Sequence, residues 1–482
     1  MIDMRDSDNE APHPEKPTVS GKLRIEPWEA ESLAHPQLKL FCDADFLQFL
    51  SPGTNPAPAH PQSKSEWSCK SSDMNAVIED ILSFREFGTD TKVTETAATT
   101  FAGENLLIPT YVNEFWTKQQ KAAHSLHRIS YHACFKPQLP RFLIRRLTQP
   151  GDTVYDPFMG RGTTLLEAAL MGRTPIGCDI NPLSIFLCRP RLNPPTLAMV
   201  ARRLAEIDFT IVDEIPEDLL AFYHRETLKE ICALRKYLLR RQANSQLDPI
   251  DEWIWMVSLH TLAGHSRGFF SGYTMPPNVA VSIRRQKKLN EKRNLTPPRK
   301  HVAVIIAGKT RRLLFDCDEE TRRALAAVST PARLLTGAAS DTPAIPTASV
   351  ALVVTSPPFL DVVDYAADSW LRWWFVGVES RSVKLTVTKR LDDWQEAMSA
   401  VFRELHRILR PGGCVAFEVG EVRGGKLRLE EAVLPCGVAA GLRPQWVLIH
   451  DQNFTKTSHC WGQQNNVKGT NTNRIVVFRK TH

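Results

Sequence analysis

An α/β fold with a doubly wound, mostly parallel sheet and a largely helical insertion is what this 482-residue sequence predicts. Three observations carry the reading. A short strand at Thr153–Phe158, glycines at Gly160 and Gly162, a helix at Thr163–Met171 and a second strand at Pro175–Ile180 compose a β-α-β unit. Five more strand-like runs return later, at 332–337, 350–359, 414–420, 446–451 and 474–480. Between the two groups, residues 192–330 lose the alternation and carry helical stripes such as Leu228, Ile231, Leu234 and Leu238.

Taken in order, residues 1–22 are polar, charged and aperiodic, the composition of a disordered segment. Residues 23–109 have no assignable fold: an apolar patch at Leu38–Leu50, a Pro-rich linker at 51–65, and a mixed pattern over 75–120. QLPRFLIRRL (138–147) places Leu139, Phe142, Leu143 and Leu147 on one helical face, and Pro150-Gly151-Asp152 turns the chain. Helices are expected at 225–242 and 251–264 inside the insertion and at 393–409 after it, the last ending in the turn Arg410-Pro411-Gly412-Gly413. Trp370, Trp373 and Trp374 read as core packing, and the amide-rich stretch 454–474 as a loop near the active face.

Length allows two or three domains, and 43% hydrophobic with 23% charged residues excludes a collagen, a coiled coil or a wholly disordered chain. No run reaches the roughly 18 apolar residues of a membrane span. The acidic start lacks the basic-then-apolar pattern of a secretory leader, so a cytoplasmic protein is expected. The ten cysteines form no CxxC pair and read as reduced, mostly buried thiols; His260 and His265 read as structural, and no metal is expected. The net charge of +7 is confined to 284–300, where Arg284, Arg285, Lys287, Lys288, Lys292, Arg293, Arg299 and Lys300 face a single Glu291. Such a run is either a solvated face or a strip for nucleic-acid phosphates.

The first motif with chemistry is DPFMGRGTT (156–164). It stands at the carboxyl end of a strand, where open α/β sheets take their ligands. Gly160 and Gly162 let backbone come close to a ligand and turn into the helix that Thr163 opens. Asp179 ends the next strand about twenty residues on, placed to accept hydrogen bonds from ribose hydroxyls. No GxxxxGK[ST] is present, and Asp156 would repel phosphate but suit an ammonium group, which favours S-adenosylmethionine over a dinucleotide.

The second motif is TSPPF (355–359), directly after the apolar strand ALVV. The exocyclic amine of cytosine or adenine is a poor nucleophile, because its lone pair is delocalised into the ring. Acceptors on its two N–H groups draw it towards a tetrahedral geometry. Ser356 Oγ and the Pro357 carbonyl can serve, with Pro357 and Pro358 fixing the backbone beforehand and Phe359 stacking on the base. Inside a duplex the base is out of reach, so it must be flipped out, or the substrate must be single-stranded.

On these two motifs the sequence resembles the amino-methylating DNA methyltransferases of the N4-cytosine/N6-adenine type. YHACFKPQLP (131–140) is similar to their segment over the methionine part of the cofactor, implicating Tyr131 and Phe135, and CDINPLS is similar to their acidic strand end at Asp179. The resemblance implies a Rossmann-like methyltransferase sheet formed by 110–191 and 331–482, S-adenosylmethionine as cofactor, and double-stranded DNA as partner. It also implies 192–330 as the target-recognition region and a possible cognate restriction endonuclease acting on the same site. Ser before Pro-Pro is similar to the cytosine-N4 enzymes. The strand end that in the family reads Gly-Asp is Gly337-Ala338 here, with Asp341 the nearest acid. Alternatives are the same chemistry on adenine N6, a structured-RNA substrate, and a non-catalytic nucleic-acid-binding protein retaining the fold. Pro435-Cys436, expected to follow a helix, is set aside as a carbon-5-type nucleophile.

Overall fold

Eleven strands, among the described residues, organise the chain around the β-α-β unit. The computed structural model describes residues 73–85, 90–116, 123–129, 131, 134–212, 214–274, 280–358, 365–379, 383, 390–422, 427–451 and 472–481. Residues 1–22, the patch 38–50, the linker 51–65, Phe359 and nearly all of the loop 454–474 lie outside these. The strands are β1 (Lys92–Phe101), β2 (Glu104–Asn113), β3 (Thr153–Asp156), β4 (Thr174–Asp179), β5 (Arg333–Thr336), β6 (Val350–Thr355), β7 (Leu409–Val419), β8 (Glu421–Val422), β9 (Leu427–Arg428), β10 (Arg443–His450) and β11 (Asn473–Arg479). Nine form one sheet in the order β1-β2-β10-β11-β7-β6-β3-β4-β5, and β8 pairs with β9 apart from it.

The sheet is parallel except where β11 runs against β7 and β10, and β1 against β2. Strand β6 reads as an unbroken apolar run because both its faces are covered: all six residues are buried. Val353 packs on the side of helices Leu391–Ile408 and Leu429–Ala439, and Leu352 and Val354 on the side of helix Gln138–Leu147. The chain runs outward from β3 to β4 and β5, then returns to the other side of β3 as β6. The strand order therefore reverses between β3 and β6, and a ligand crevice opens at their carboxyl ends.

The structure corrects three readings. The 75–120 stretch is not shapeless: it holds a helix, Met74–Leu82, and the hairpin β1–β2. Its Thr- and Ala-rich strand at the sheet edge gives little apolar alternation, and the turn uses Ala102 and Gly103 at φ 49° and 85° rather than a recognisable Asn-Gly. The turn expected at Arg410–Gly413 lies inside β7, held in the ladder because Lys480 N donates to Gly413 O at 2.9 Å and Gly412 N to Lys480 O at 2.8 Å. Pro435-Cys436 does not follow a helix but sits within Leu429–Ala439.

Residues 192–330 hold helices Leu197–Glu206, Arg225–Ala243, Pro249–Thr261, Ile283–Arg293, Val302–Leu313 and Glu319–Ser329. Leu228, Ile231 and Leu234 pack in one core with Trp253 and Trp255, and that core continues into Leu166 and Ala169 of helix Thr163–Leu170 and Leu371 and Phe375 of helix Tyr365–Val376. Among the described residues no helix is long and apolar enough to cross a membrane.

Candidate active site

A cavity of about 250 Å³ occupies the crevice and is walled by both motifs. Tyr131, Phe135, Asp156, Phe158, Gly160, Thr163 and Asp179 line it from the cofactor-motif side, Ser356 and Pro358 from the side of the SPPF tetrad, residues 356–359. Pro357 is buried behind the wall. Gly337, Ala338 and Ser340 complete the rim after β5, while Asp341 is exposed and outside the lining.

The glycine loop is shaped by left-handed backbone and close packing. Gly160 and Gly162 take φ of 47° and 72°. A Cβ on Gly160 would meet Tyr131 Cε1 at 3.3 Å, and one on Gly162 would meet Cys188 Sγ at 2.4 Å. The Asp179 carboxylate latches the loop: Oδ2 accepts from Gly160 N and Oδ1 from Asn181 N, both at 2.8 Å. Each oxygen can accept more than one such bond. Asn181 extends the brace, donating through Nδ2 to the Tyr131 hydroxyl at 3.3 Å and accepting from Trp373 Nε1 at 3.0 Å. Trp373 is thus a buried strut between the helix beyond the tetrad and the cofactor motif.

Asp156 joins the two motifs directly. Thr355 Oγ1 donates to its Oδ1 at 2.6 Å, across 199 residues of sequence, and Phe158 N donates to the same oxygen at 3.1 Å. Thr164 Oγ1 donates to Val354 O at 3.0 Å, a second link between the glycine-loop helix and β6. Burial pushes the Asp156 carboxyl up to about 7, with its hydrogen bonds opposing, and burial also raises Asp179.

On the tetrad side, the Ser356 hydroxyl donates to the carboxylate of Glu418, on β7. Asn473 Nδ2, on β11, donates to Glu418 Oε1 at 2.8 Å. Glu418 is 2% exposed, and burial lifts its carboxyl to about 7. Trp394, which also lines the cavity, donates through Nε1 to Pro358 O at 3.0 Å. Sequence reasoning missed Glu418, Asn181 and Trp394. The lone acid inside the apolar run CVAFEVG was the available signal for the first, since an isolated buried carboxylate needs partners; the other two had none.

The lining is apolar and aromatic with two carboxyls, and Arg161 is the cation among its residues. Such a wall suits a nucleoside joined to an amino acid and bearing positive charge better than a polyphosphate. The residues present therefore fit S-adenosylmethionine.

The basic segment is partly a helix, Ile283–Arg293, on the outside of the insertion. Lys287 pairs with Asp218 at 2.8 Å, Arg299 with Glu230 at 3.4 Å, and Arg293 lies over the Tyr273 ring at 4.9 Å. Lys300 is half-buried, its backbone N donating to Thr227 Oγ1 at 2.7 Å. Arg284, Arg285, Lys288 and Lys292 are exposed, with no carboxylate partner among the described residues. Trp370 Nε1 donates to Ala280 O at 2.7 Å, fixing the approach to this helix against the one that follows the tetrad.

Residues 60–185 match a family model described as DNA methylase, of the N6/N4 type. The match takes in the segment around Tyr131, the glycine loop and Asp179, and stops before the tetrad. The Type II methyltransferase M.MjaII of Methanocaldococcus jannaschii is 37% identical over 75 residues, 16% of this chain and 14% of that protein. M.MvaI of Kocuria varians is 29% identical over 122 residues, a quarter of each chain. A tRNA (guanine(10)-N2)-dimethyltransferase of M. jannaschii is 40% identical over 63 residues, 13% of this chain and 18% of that one. The chain thus aligns with only a minor share of these relatives' lengths. With the family match added to the two motifs and to their meeting at the point where the strand order reverses, the chain is similar to the amino-methylating, S-adenosylmethionine-dependent DNA methyltransferases.

Proposed function

We propose that the protein transfers a methyl group from S-adenosylmethionine to the exocyclic N4 of a cytosine in DNA, the base being flipped from the duplex into the cavity. The observation that carries the reading is Ser356 in the cavity wall opposite the glycine loop, with the two motifs joined by the Thr355–Asp156 bond. Bound S-adenosylmethionine supplies an electrophilic methyl on positively charged sulfur, whose departure leaves the C–S electron pair on sulfur. Tyr131, Phe135, Phe158, Gly160, Thr163 and Asp179 are the residues placed to hold it.

Ser356 Oγ accepts an amino hydrogen and helps free the nitrogen lone pair, whereas the Pro357 carbonyl, expected to accept the second, is not part of the cavity wall. The Pro358 carbonyl is taken by Trp394, which holds the tetrad backbone rather than the base. Phe359 supplies the stacking surface. The insertion, with Arg284, Arg285, Lys287, Lys288, Lys292, Arg293, Arg299 and Lys300, meets the backbone phosphates and positions the duplex. A restriction endonuclease reading the same site is the proposed biological partner.

The test is to express the protein, digest the host DNA to nucleosides and identify the modified base by mass spectrometry. N4-methylcytosine supports the reading. N6-methyladenine transfers it to the adenine alternative, and neither base, with no binding of S-adenosylmethionine by titration calorimetry, replaces it with a nucleic-acid-binding module.

A further inference from the structure

The Ser356 hydroxyl poses a problem that a carboxylate at the same position would not. Its oxygen must accept from the substrate amine, so its own proton must point elsewhere. The fold provides a place. β6 and β7 pair in parallel with Thr355 opposite Phe417, which sets Ser356 beside Glu418, and the hydroxyl donates to that carboxylate. Asn473, on the far side of β7, holds Glu418 Oε1 at 2.8 Å and stops the carboxylate from turning away. Glu418 is buried behind the cavity wall, and it is Ser356 that lines the cavity.

We propose that Glu418 is a positioning residue for amino methylation, holding the Ser356 hydroxyl so that its lone pairs face the target amine and receiving its proton as the reaction proceeds. The inference rests on the amino-methylation reading. The amine that gains a methyl group must lose one hydrogen as a proton. That proton passes to Ser356 Oγ while the Ser356 hydroxyl proton passes to Glu418. One N–H and one O–H bond break, two O–H bonds form, and Glu418 returns its proton through Ser356 to water once product has left. Glu418 must start ionised, so turnover rises with pH through its titration.

The chain just after β6 presents Ser356 and β11 presents Asn473. On β10, opposite Asn473, stands His450, whose Nδ1 accepts from Phe115 N at 3.0 Å. Arg474 on β11 is paired with Glu430 of the helix Leu429–Ala439. Asp156 on β3 is engaged by Thr355 rather than Ser356. Burial places Glu418 at about 7, within the range that a rate profile can follow.

The experiment measures kcat against pH for DNA methylation by the full chain, as wild type, Glu418→Gln, Ser356→Ala and the double variant. Wild-type kcat is expected to rise through about pH 7. Glu418→Gln should lose on the order of 10²-fold in kcat and lose that rise, with KM for DNA and calorimetric affinity for S-adenosylhomocysteine retained. In the Ser356→Ala background, Glu418→Gln should cost nothing more. Glu418→Gln with wild-type turnover and an intact acid limb overturns the proposal, as does an undiminished cost in the Ser356→Ala background. If Glu418→Gln fails to bind S-adenosylhomocysteine, the wild-type profile decides, and a kcat flat between about pH 6 and about pH 8 overturns it. A wild type that methylates neither cytosine nor adenine in DNA removes the amino-methylation reading itself, a failure distinct from the others.

Discussion

Gly162→Ala isolates the packing behind the glycine loop. Two costs add. The residue takes φ of 72°, where any side chain costs about 1–2 kcal/mol. The new Cβ would stand 2.4 Å from the Sγ of Cys188, a side chain only 2% exposed, so sulfur and loop must part by roughly 1 Å to reach ordinary contact. Overpacking of that kind costs about 1–3 kcal/mol. The sum is about 3 kcal/mol. Because Gly160, the other loop glycine, is latched to Asp179, the movement should also reach the cofactor cavity. Urea unfolding should show a lowered midpoint with unchanged slope, and titration with S-adenosylhomocysteine a weakened affinity. Adding Cys188→Ala removes the sulfur and leaves a contact of 3.3 Å in place of the clash, restoring the steric share and leaving about 1–2 kcal/mol for the backbone. A Gly162→Ala variant with wild-type midpoint and affinity refutes the packing argument, and an unrescued double variant refutes its division into two parts.

Ser356→Ala should lower kcat on the order of 10²-fold with little change in S-adenosylhomocysteine affinity, read by single-turnover methylation. Thr355→Val removes the hydroxyl that donates to the buried Asp156 and should cost about 1–3 kcal/mol in urea unfolding. It should also raise the Asp156 carboxyl further, since that bond now opposes the effect of burial. Lys288→Ala and Lys292→Ala, at exposed positions of the outer helix, should each reduce by about one the slope of log affinity for DNA against log salt. For Glu418 the linkage is fixed in sign: a carboxyl raised from 4.5 to about 7 favours the folded state while protonated, so stability falls as pH rises through that interval. The full effect is about 3 kcal/mol, and Glu418→Gln should flatten it in unfolding curves taken at several pH values.

The β-α-β unit and the later strands were legible because parallel strands buried on both faces write themselves as apolar runs. Val350–Thr355 is such a run, while the shorter Thr153–Asp156 is marked by the glycines that follow where the chain leaves the sheet. The hairpin Lys92–Asn113 was not, since an edge strand needs no apolar face to keep its place. The site divided the same way. Residues in contiguous motifs, such as Asp156, Gly160, Asp179 and Ser356, were visible as spacing along one segment. Glu418, Asn473 and Trp394 act through pairing between strands or between a helix and a loop, and a linear pattern does not record which strand lies beside which. Asp179 was expected to face a ribose; its hold on the loop at Gly160 depends on the fold and leaves no mark in the spacing.

If 192–330 reads the target, as proposed, its shared core limits how such a protein can change that target. Helices of 192–330 rest on Leu166 behind the glycine loop and on Leu371 beyond the tetrad, so they are not an appendage on a finished catalytic half. Excising them would strip apolar surface from both motifs' supports, and transplanting a foreign insertion would require two interfaces to match at once. New preferences are therefore to be sought by altering the outward layer around Ile283–Arg293, leaving the inward layer untouched.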